Sequence, residues 1–448
     1  MLKLFLWLRY LRKKKIVLLS IAAVALSVAL LIVVASLFNS FINAFEQSAV
    51  ETMGDIVLAP PNKFAKYQLL IERLEQTGAV ETATATLSTP GLLHLGKGNV
   101  RAVLIWGIEP GPREKVTGFK RFLCKQKKSS RQPSFEIPGF PEKLGGFAGV
   151  GVVAEPDEKT DEYDFDAIEK IIGQQVVLTT GAVSRAQEHS GTRKQAKRRA
   201  LKFTIADIFF TGSYYVDKTF IYLPIEELQK ALYPNEAEPI ADQIQIKLEA
   251  DAQADVAMAQ IRGIWQWFAA EQLGWDLYLI KQTTITTAKQ MQSQYVAELR
   301  KQMGVLLVIF GVVSFSVVLL IFCIFYMIVI TRQRDIAIIK SCGTTSSAVA
   351  SVFVGFGACV GIIGSGIGAM LGYIVTKNIN TIEEWIRIVF GLKLWKSSVY
   401  MFSRIPSEVD WASALPIILS AIIAAAVGAL IPAVIAAGTR PVNVLRYE

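Results

Sequence analysis

The chain has 448 residues, of which 52% are apolar and only 19% are charged, and its formal net charge is +9. With a mean hydropathy of +0.39, this composition excludes an ordinary soluble globular protein, whose solvated surface needs more charged side chains. The positive charge suits a surface beside anionic lipid and does not require nucleic acid, so we expect no nucleic-acid partner.

Four apolar stretches contain no charged residue: 16–37, 303–330, 349–375 and 411–437. Each is longer than the roughly 20 residues that cross the hydrocarbon core of a bilayer as a helix. A helix also satisfies its own backbone hydrogen bonds in lipid. The sequence therefore predicts four transmembrane helices, which we place at 16–40, 303–330, 347–377 and 411–438.

A basic N-terminal segment, residues 1–15, precedes the first apolar stretch and resembles the start of a signal peptide. Its charged residues are Lys3, Arg9, Arg12, Lys13, Lys14 and Lys15. The apolar stretch behind it is too long for a signal peptide, and no Ala-x-Ala cleavage pattern follows. We expect an uncleaved first helix that continues past Phe41 as it leaves the membrane.

The basic residues near the ends of the apolar stretches predict the orientation in the membrane. Segment 1–15, loop 331–346 and tail 439–448 fall on one side after four crossings, and all three carry Lys or Arg. That side is the cytoplasm by the positive-inside rule. Loop 378–410 balances its basic residues with acidic ones. Both termini are therefore predicted to be cytoplasmic, and segment 41–302 extracytoplasmic.

Residues 41–302 have mixed polarity and are numerous enough for a domain with its own core. Apolar alternation predicts strands at 54–58, 101–106 and 243–248. Helical spacing predicts helices at 67–76, 225–232 and 251–268. We therefore predict an α+β domain. We also expect residues 284–301 to belong to one continuous helix that enters the second apolar stretch.

Three polar stretches of this domain are predicted to lie at its surface. Segment 125–141 is rich in Lys, Ser, Gly and Pro, and segment 155–166 is rich in acidic residues. Segment 193–199 is strongly basic, which fits either a solvated loop or a contact with anionic lipid headgroups. Of the four cysteines, only Cys124 would face the oxidising side, so we expect no internal disulfide there.

The predicted cytoplasmic loop 331–346 contains a short amphipathic pattern. Ile336, Ile339 and the later Val349 are spaced for one helical face, and Gly343 is placed to end a short helix. Such a helix at the membrane surface suits docking into a groove of a partner protein. A basic loop that only sets the topology explains these residues equally well, so both interpretations stay open.

Residues 334–343, Arg-Asp-Ile-Ala-Ile-Ile-Lys-Ser-Cys-Gly, resemble the signature of the FtsX-like permeases, a family that includes the lipoprotein-releasing LolC and LolE and the efflux protein MacB. The ending 440–448, Arg-Pro-Val-Asn-Val-Leu-Arg-Tyr-Glu, is similar to that of LolC and LolE. Segment 210–217 resembles the outer domain of the same group. The insertions at 155–166 and 193–199 depart from the family's pattern and leave the cargo open.

The resemblance implies a MacB-like periplasmic core domain on four transmembrane helices in the bacterial inner membrane. It also implies a second permease chain, identical or paralogous, and a separate ABC ATPase dimer that holds the ATP and Mg²⁺, so no cofactor is expected in this chain. The loop after the second transmembrane helix would contact the ATPase. The residues assigned to this coupling site are Arg332, Arg334, Asp335, Ile336, Ile339, Lys340 and Gly343.

Five glycines of the third apolar stretch recur every three or four residues and share one helical face: Gly357, Gly361, Gly364, Gly368 and Gly372. Small residues at this spacing let another helix approach closely. The partner is either another helix of the same chain or a helix of a second copy, and the sequence leaves both open.

Catalytic interpretations find no support in the sequence. It has no Gly-x-x-x-x-Gly-Lys-Ser/Thr loop to hold ATP phosphates and no Gly-x-Ser-x-Gly nucleophile elbow. Its two histidines, His94 and His189, are far apart and lack the spacing of metal ligands, so no metal site is expected. We therefore predict a non-catalytic membrane subunit.

Together these inferences give one functional prediction and two alternatives. The prediction is a permease that uses a separate ATPase to extract or export a lipoprotein or another amphipathic substrate by mechanical transmission. The alternatives are an FtsX-like scaffold that activates a cell-wall hydrolase and a MacB-like permease for drug or peptide efflux. The LolC- and LolE-like ending favours lipoprotein cargo.

Overall fold

The computed structural model describes residues 15–96, 98–137, 139–140, 142–157, 160–182, 197–236, 238–391 and 393–439. The chain divides into two compact units. The helical unit comprises Met1–Asn43, Tyr295–Trp385 and Ile405–Glu448, and the sheet unit comprises Ala44–Gln294 and Ile386–Arg404. The predicted basic segments at 1–14, 193–196 and 440–448 lie outside the described residues.

The helices of the described part are, in chain order, α1 (Lys15–Met53), α2 (Tyr67–Glu75), α3 (Pro110–Thr117), α4 (Val150–Val153), α5 (Phe165–Glu169), α6 (Tyr214–Thr219), α7 (Ile225–Leu232), α8 (Ala254–Glu271), α9 (Leu277–Lys281), α10 (Ala288–Met291), α11 (Ser293–Thr331), α12 (Gln333–Ser341), α13 (Ser346–Lys377), α14 (Ile379–Phe390), α15 (Ser397–Tyr400), α16 (Trp411–Gly428) and α17 (Leu430–Gly438). The strands are β1 (Ile56–Ala59), β2 (Phe64–Ala65), β3 (Val80–His94), β4 (Val100–Ile108), β5 (Gly145–Gly149), β6 (Gln175–Ala182), β7 (Lys197–Phe209), β8 (Phe220–Pro224), β9 (Ile240–Ala241), β10 (Gln243–Leu248) and β11 (Thr284–Thr287).

The four predicted apolar helices are confirmed. In the described part, the helices long and apolar enough to cross a bilayer are Ile16–Met53, Ser293–Thr331, Ser346–Lys377 and Trp411–Gly438. The fourth is interrupted at Ala429, which separates α16 from α17. These assignments rest on length and composition alone.

The first helix runs further than the predicted span 16–40, to Met53. No glycine or proline interrupts it before Gly54, where the backbone turns left-handed with a φ of +81°. The amide of Gly54 donates to the carbonyl of Val50 at 2.8 Å. Because glycine adopts this conformation without the steric cost that other residues meet, Gly54 ends the helix where the sheet begins.

The sheet unit is built on nine strands in the order β11-β1-β10-β3-β4-β8-β5-β7-β6. An additional pairing of β3 with β6 closes the last six strands into a ring. The long β3 makes this possible, since its first half pairs with β10 and its second half with both β4 and β6. Closure leaves these strands without a free edge on which another chain could pair.

The core of the sheet unit contains aliphatic residues from alternate strand positions and aromatic residues from α8. Leu58, Ile105 and Ile244 are fully buried, and Trp265 and Phe268 pack with them. Each such side chain contributes about 1.5–3 kcal/mol by leaving water. The strands predicted at 54–58, 101–106 and 243–248 are β1, β4 and β10, so the predicted mixture of strands and helices is confirmed.

The expectation of a continuous helix over residues 284–301 is wrong. Residues Thr284–Thr287 form β11, and the long helix α11 begins only at Ser293. Three of the four residues in β11 are threonines and the fourth is Ile285, and β-branched side chains favour strands. Pairing decides the outcome, because β11 lies antiparallel to β1 with Ile285 opposite Leu58.

Residues 393–403, which lie between α14 and α16, belong to the sheet unit and pack against its segment 160–161. The backbone amide of Ser397 donates to the Asp161 carboxylate at 2.8 Å, and the Ser397 hydroxyl donates to the same oxygen. The Lys393 ammonium donates to the carbonyl of Thr160. The acidic stretch at 155–166, predicted to be a surface loop, therefore holds a segment from the C-terminal third of the chain.

Candidate partner-docking helix and its anchors

The short helix α12 follows the second apolar helix after a single residue, Arg332. The amide of Arg332 still donates to the carbonyls of Ile328 and Val329, at 3.1 and 3.2 Å, so the break is slight. The Arg332 guanidinium pairs with the Asp335 carboxylate at 2.9 Å. Asp335 lies in the first turn, where a negative charge is favourable. This exposed pair defines the start of the helix and contributes at most about 1 kcal/mol.

Gly343 ends α12, as predicted from its position in the sequence. Its φ of +93° lies in the left-handed region, and its amide donates to the carbonyl of Lys340 at 3.0 Å. The next helix, α13, is capped by the Thr345 hydroxyl, which accepts from the amide of Ala348 at 3.3 Å. The end of α12 and the start of α13 thus meet within a tight turn, so the position of α12 along the chain is well defined.

The two isoleucines assigned to partner contact differ in exposure. Ile336 is only 5% exposed and packs in the apolar cluster of the helical unit, together with Val349. Ile339 is 42% exposed, and its neighbour Ile338 is 48% exposed. Ile336 is therefore an anchor of α12 within the chain, whereas Ile338 and Ile339 form an apolar surface. The sequence pattern singled out Ile339 but missed Ile338.

Lys340 is hydrogen-bonded within the chain. Its ammonium donates to the carbonyls of Ala437 and Thr439, at 2.7 and 2.9 Å. These carbonyls end α17, where the helix dipole favours a positive charge by about 0.3–1 kcal/mol. Arg334 is exposed on the same short helix. Lys340 thus ties α12 to the end of the fourth apolar helix, a contact that no local pattern predicts.

The glycines of α13 lie against helices of the same chain. A β-carbon at Gly357 would come within 2.6 Å of the Ala429 side chain, and one at Gly361 within 2.9 Å of Ala425. The remaining three, Gly364, Gly368 and Gly372, face α1 around Val24, Ala25 and Ile32. The glycine face of α13 therefore packs first against the fourth apolar helix and then, further along, against α1. Of the two alternatives, these contacts favour packing within one chain.

Two of the buried charged groups in the sheet unit, neither of which the sequence analysis assigned to a site, are Arg113 and Asp217; Asp207 is a third. The Arg113 guanidinium is 1% exposed and donates to Gln245 Oε1 and, at 2.7 Å, to the carbonyl of Thr52 near the end of α1. It also lies 5.1 Å from the ring centres of Trp106 and Tyr222. Burial lowers the pKa of Arg113. The residues next to Arg113 in the sequence do not predict its burial, because its hydrogen-bond partners are distant in the chain.

The second buried group is Asp217, in the stretch resembling the family's outer domain. Its carboxylate accepts from the amide and hydroxyl of Thr211, at 2.7 and 2.8 Å, and from the amide of Gly212 at 3.0 Å. Burial raises the pKa of Asp217 to about 7, against the lowering effect of these hydrogen bonds. Asp217 therefore organises the loop before α6.

In the described part of the chain, no three His, Cys, Asp or Glu side chains come together as metal ligands. The cysteines Cys124, Cys323, Cys342 and Cys359 are all free thiols.

The sequence matches two protein families. Residues 17–264 match the MacB-like periplasmic core domain. Residues 307–441 match the FtsX-like permease C-terminal family. The first match alone covers more than half of the chain.

Two similar proteins are transmembrane components of lipoprotein-releasing systems. The transmembrane protein LolC of Neisseria meningitidis serogroup B is 25% identical over 98% of this chain and 98% of its own length. LolE of Haemophilus influenzae is 25% identical over 95% of this chain and 93% of its own length.

A solved structure, the periplasmic region of MacB from Actinobacillus actinomycetemcomitans, is 11% identical, covers 55% of this chain and 95% of that chain, and has a TM-score of 0.32. The family matches confirm the resemblance inferred from residues 334–343 and 440–448. This chain belongs to the FtsX-like permeases with a MacB-like periplasmic core domain, and is an ABC transporter permease of the type that LolC, LolE and MacB represent.

Proposed function

We propose that this chain is the membrane subunit of an ATP-driven complex that removes lipid-anchored proteins from the outer leaflet of the inner membrane. The four apolar helices cross the bilayer, both termini lie in the cytoplasm, and the MacB-like domain faces the periplasm. A separate ATPase dimer binds the ATP and Mg²⁺, and a second permease chain, identical or paralogous, completes the complex. The chain itself performs no catalysis.

The exposed apolar surface of α12 carries this proposal. Ile338 and Ile339 face outward on a helix that begins one residue after an apolar helix ends. Apolar side chains in such a position suit a groove on a partner protein, and the nearby Arg334 supplies charge that sets the register. In the proposed orientation this surface lies in the cytoplasm, where the ATPase is.

The contacts that hold α12 to the helical unit explain how a force on Ile338 and Ile339 would be transmitted to other helices. Ile336 and Ala337 are buried in the helical unit, and Lys340 bonds to the end of α17. A push on Ile338 and Ile339 is therefore transmitted to the second and fourth apolar helices together. Because packed helices respond as rigid bodies, ATP-driven movement of the partner becomes movement of the helical unit. The helix α1 begins in the helical unit and continues past Asn43 into residues of the sheet unit.

The cargo proposal rests on the names of similar proteins. LolC and LolE, whose names describe lipoprotein-releasing systems, match this chain over nearly their full lengths. A lipid-anchored protein is therefore the proposed substrate. Capture of the complex from native membranes tests it. Co-purified acylated protein supports it, whereas a bound cell-wall hydrolase or an outer-membrane duct would support the FtsX-like or the MacB-like alternative instead.

The docking surface is tested by a double substitution, Ile338→Asp with Ile339→Asp. Charge at both positions should lower permease-stimulated ATP hydrolysis by about tenfold, because about 1.4 kcal/mol of lost binding has that effect. The matched control is Leu277→Asp with Tyr278→Asp, an exposed apolar pair on the sheet unit. Equal stimulation by both variants, with both extracted as monodisperse protein in detergent, would remove α12 as the docking site.

A further inference from the structure

The helix α14 exposes apolar side chains, whereas a helix on a water-exposed surface normally exposes polar ones. Its most exposed large apolar side chains are those of Ile388, Phe390, Trp385 and Val389, at 71%, 65%, 61% and 52%. Trp385, Ile388 and Val389 are spaced by three and four residues, so they share one face. Glu383 and Arg387 are partly covered on the opposite side, and Glu384 is exposed beside the apolar face. An apolar environment is therefore needed on the exposed face.

The start of α14 is close in the chain to the end of an apolar helix. Only Asn378 separates α13, which ends at Lys377, from α14, which begins at Ile379. Near that end, the ring of Tyr373 stacks on the ring of Trp411 with centroids 6.1 Å apart. Paired Tyr and Trp rings are typical of the boundary between hydrocarbon and headgroups. Ile379 follows Tyr373 by roughly 9 Å along a helix axis.

A side-chain clasp keeps the start of α14 at this level. The Asn380 amide donates to the carbonyl of Ile405 at 3.0 Å, and its oxygen accepts from the amide of Ile405 at 3.0 Å. Ile405 lies on the chain that returns to α16, whose first residue is Trp411. The segment that leaves α13 and the one that returns to α16 are thus held together at one end of both apolar helices.

The length of α14 and the size of its exposed face favour lipid over protein as the partner. Twelve residues make a helix of about 18 Å, too short to cross a bilayer. Three side chains expose a few hundred Å² at most, below the roughly 600 Å² that each partner buries in even a small specific protein–protein interface. An amphipathic helix of this kind, with Trp on its apolar face, binds in the plane of a membrane surface.

We propose that α14 lies in the headgroup region of the outer leaflet, with Trp385, Ile388 and Val389 at the boundary with the acyl chains. Its partner is the phospholipid surface itself. The proposal rests on the proposed membrane insertion of α13 and α16.

Depth-dependent quenching tests this placement. Cys124, Cys323, Cys342 and Cys359 are replaced by Ser, and single cysteines are then introduced as Ile388→Cys, Leu419→Cys and Ser130→Cys for a small fluorophore. Leu419 is an exposed position of α16, and Ser130 is an exposed position of the sheet unit. The chain is reconstituted in phosphatidylcholine–phosphatidylglycerol vesicles carrying a nitroxide at a shallow or a deep acyl position.

The expected pattern separates the three sites. The shallow nitroxide should quench the label at Ile388 about twofold more than the deep one does, and the order should reverse at Leu419. The label at Ser130 should respond only to aqueous iodide. If lipid nitroxides fail to quench at Leu419, the membrane insertion of α16 is itself wrong.

Two further outcomes concern α14 alone. Both require that lipid nitroxides quench the label at Leu419. If only iodide quenches the label at Ile388, α14 lies in water. If neither quencher reaches that label, protein such as a second copy covers α14. Either result overturns the proposal. If the cysteine-free chain fails to fold, the unmodified chain can be cross-linked with a diazirine-bearing phospholipid. Cross-links are expected on Trp385–Val389, and their absence would contradict the placement.

Discussion

The interiors of the two units are held together in different ways. The sheet unit buries charged side chains, including Arg113, Asp207 and Asp217, each with hydrogen-bond partners. In the described part of the helical unit, the buried polar side chains are hydroxyls only: Ser20, Ser36, Ser40, Ser365 and Thr376. Glycine instead brings its helices into contact. The difference fits the proposal that the sheet unit folds in water and the helical unit in lipid, where a buried charge is costly and close packing replaces the hydrophobic effect.

Removing the buried cation of the sheet unit should have the largest effect. Arg113→Ala leaves Gln245 Oε1 and the Thr52 carbonyl without their donor, which should lower local stability by about 1–3 kcal/mol for each acceptor left unpaired. Hydrogen exchange of the β4 and β10 amides measures this loss. The control is Arg121→Ala, which breaks an exposed pair with Glu51 and should cost under about 1 kcal/mol. Similar exchange in both variants would show that Arg113 is not a structural anchor.

The pH dependence of stability should also distinguish the units. Since the pKa of Asp217 is raised to about 7 in the fold, the folded state binds the proton more tightly than the unfolded chain does. Stability is therefore greatest near pH 4 and falls as the pH rises toward 7, by up to about 1.4 kcal/mol for each pH unit. Above pH 7 this contribution is lost.

Hydrogen exchange measured between pH 4 and 8, corrected for the intrinsic rate, tests this slope in β8 and α6. Asp217→Asn should flatten most of it, because the amide does not titrate. The helical unit, without a buried carboxyl among its described residues, should show no comparable slope. An unchanged slope in the variant would assign the effect to other carboxyls, such as Asp207 and Asp242, whose pKa values burial also raises.

The smallest of the three effects should come from the glycine contacts of the helical unit. A side chain at Gly368 meets the Ala25 carbonyl at 2.6 Å and Val28 at 2.8 Å, so Gly368→Val should destabilise the packing of α13 on α1 by about 1–3 kcal/mol. Gly366→Val is the matched control, since nothing lies within 4 Å of a β-carbon there. Thermal unfolding in detergent compares the two. If Gly366→Val is the more damaging, the important contact is with another chain instead.

Much of the architecture follows from local patterns. The uncharged stretches predicted four long helices, and the predicted helix at 225–232 coincides with α7. The family signature at 334–343 includes the whole of α12 after its first residue. These features are predictable because helix formation and apolar burial depend on residues close together in the chain, and because periodicity records which face is buried.

The amino-acid sequence by itself determined the apolar helices, the strands with alternating polarity, the position of α12 and the membership in the FtsX-like permeases. Tertiary structure alone decided that Thr284–Thr287 pairs with β1, that Ile336 is buried while Ile338 is exposed, and that Lys340 reaches Ala437. It also placed Arg113 against Thr52. The physical reason is that these contacts join residues far apart in the chain, and their energies exist only once the chain has closed the loop between them.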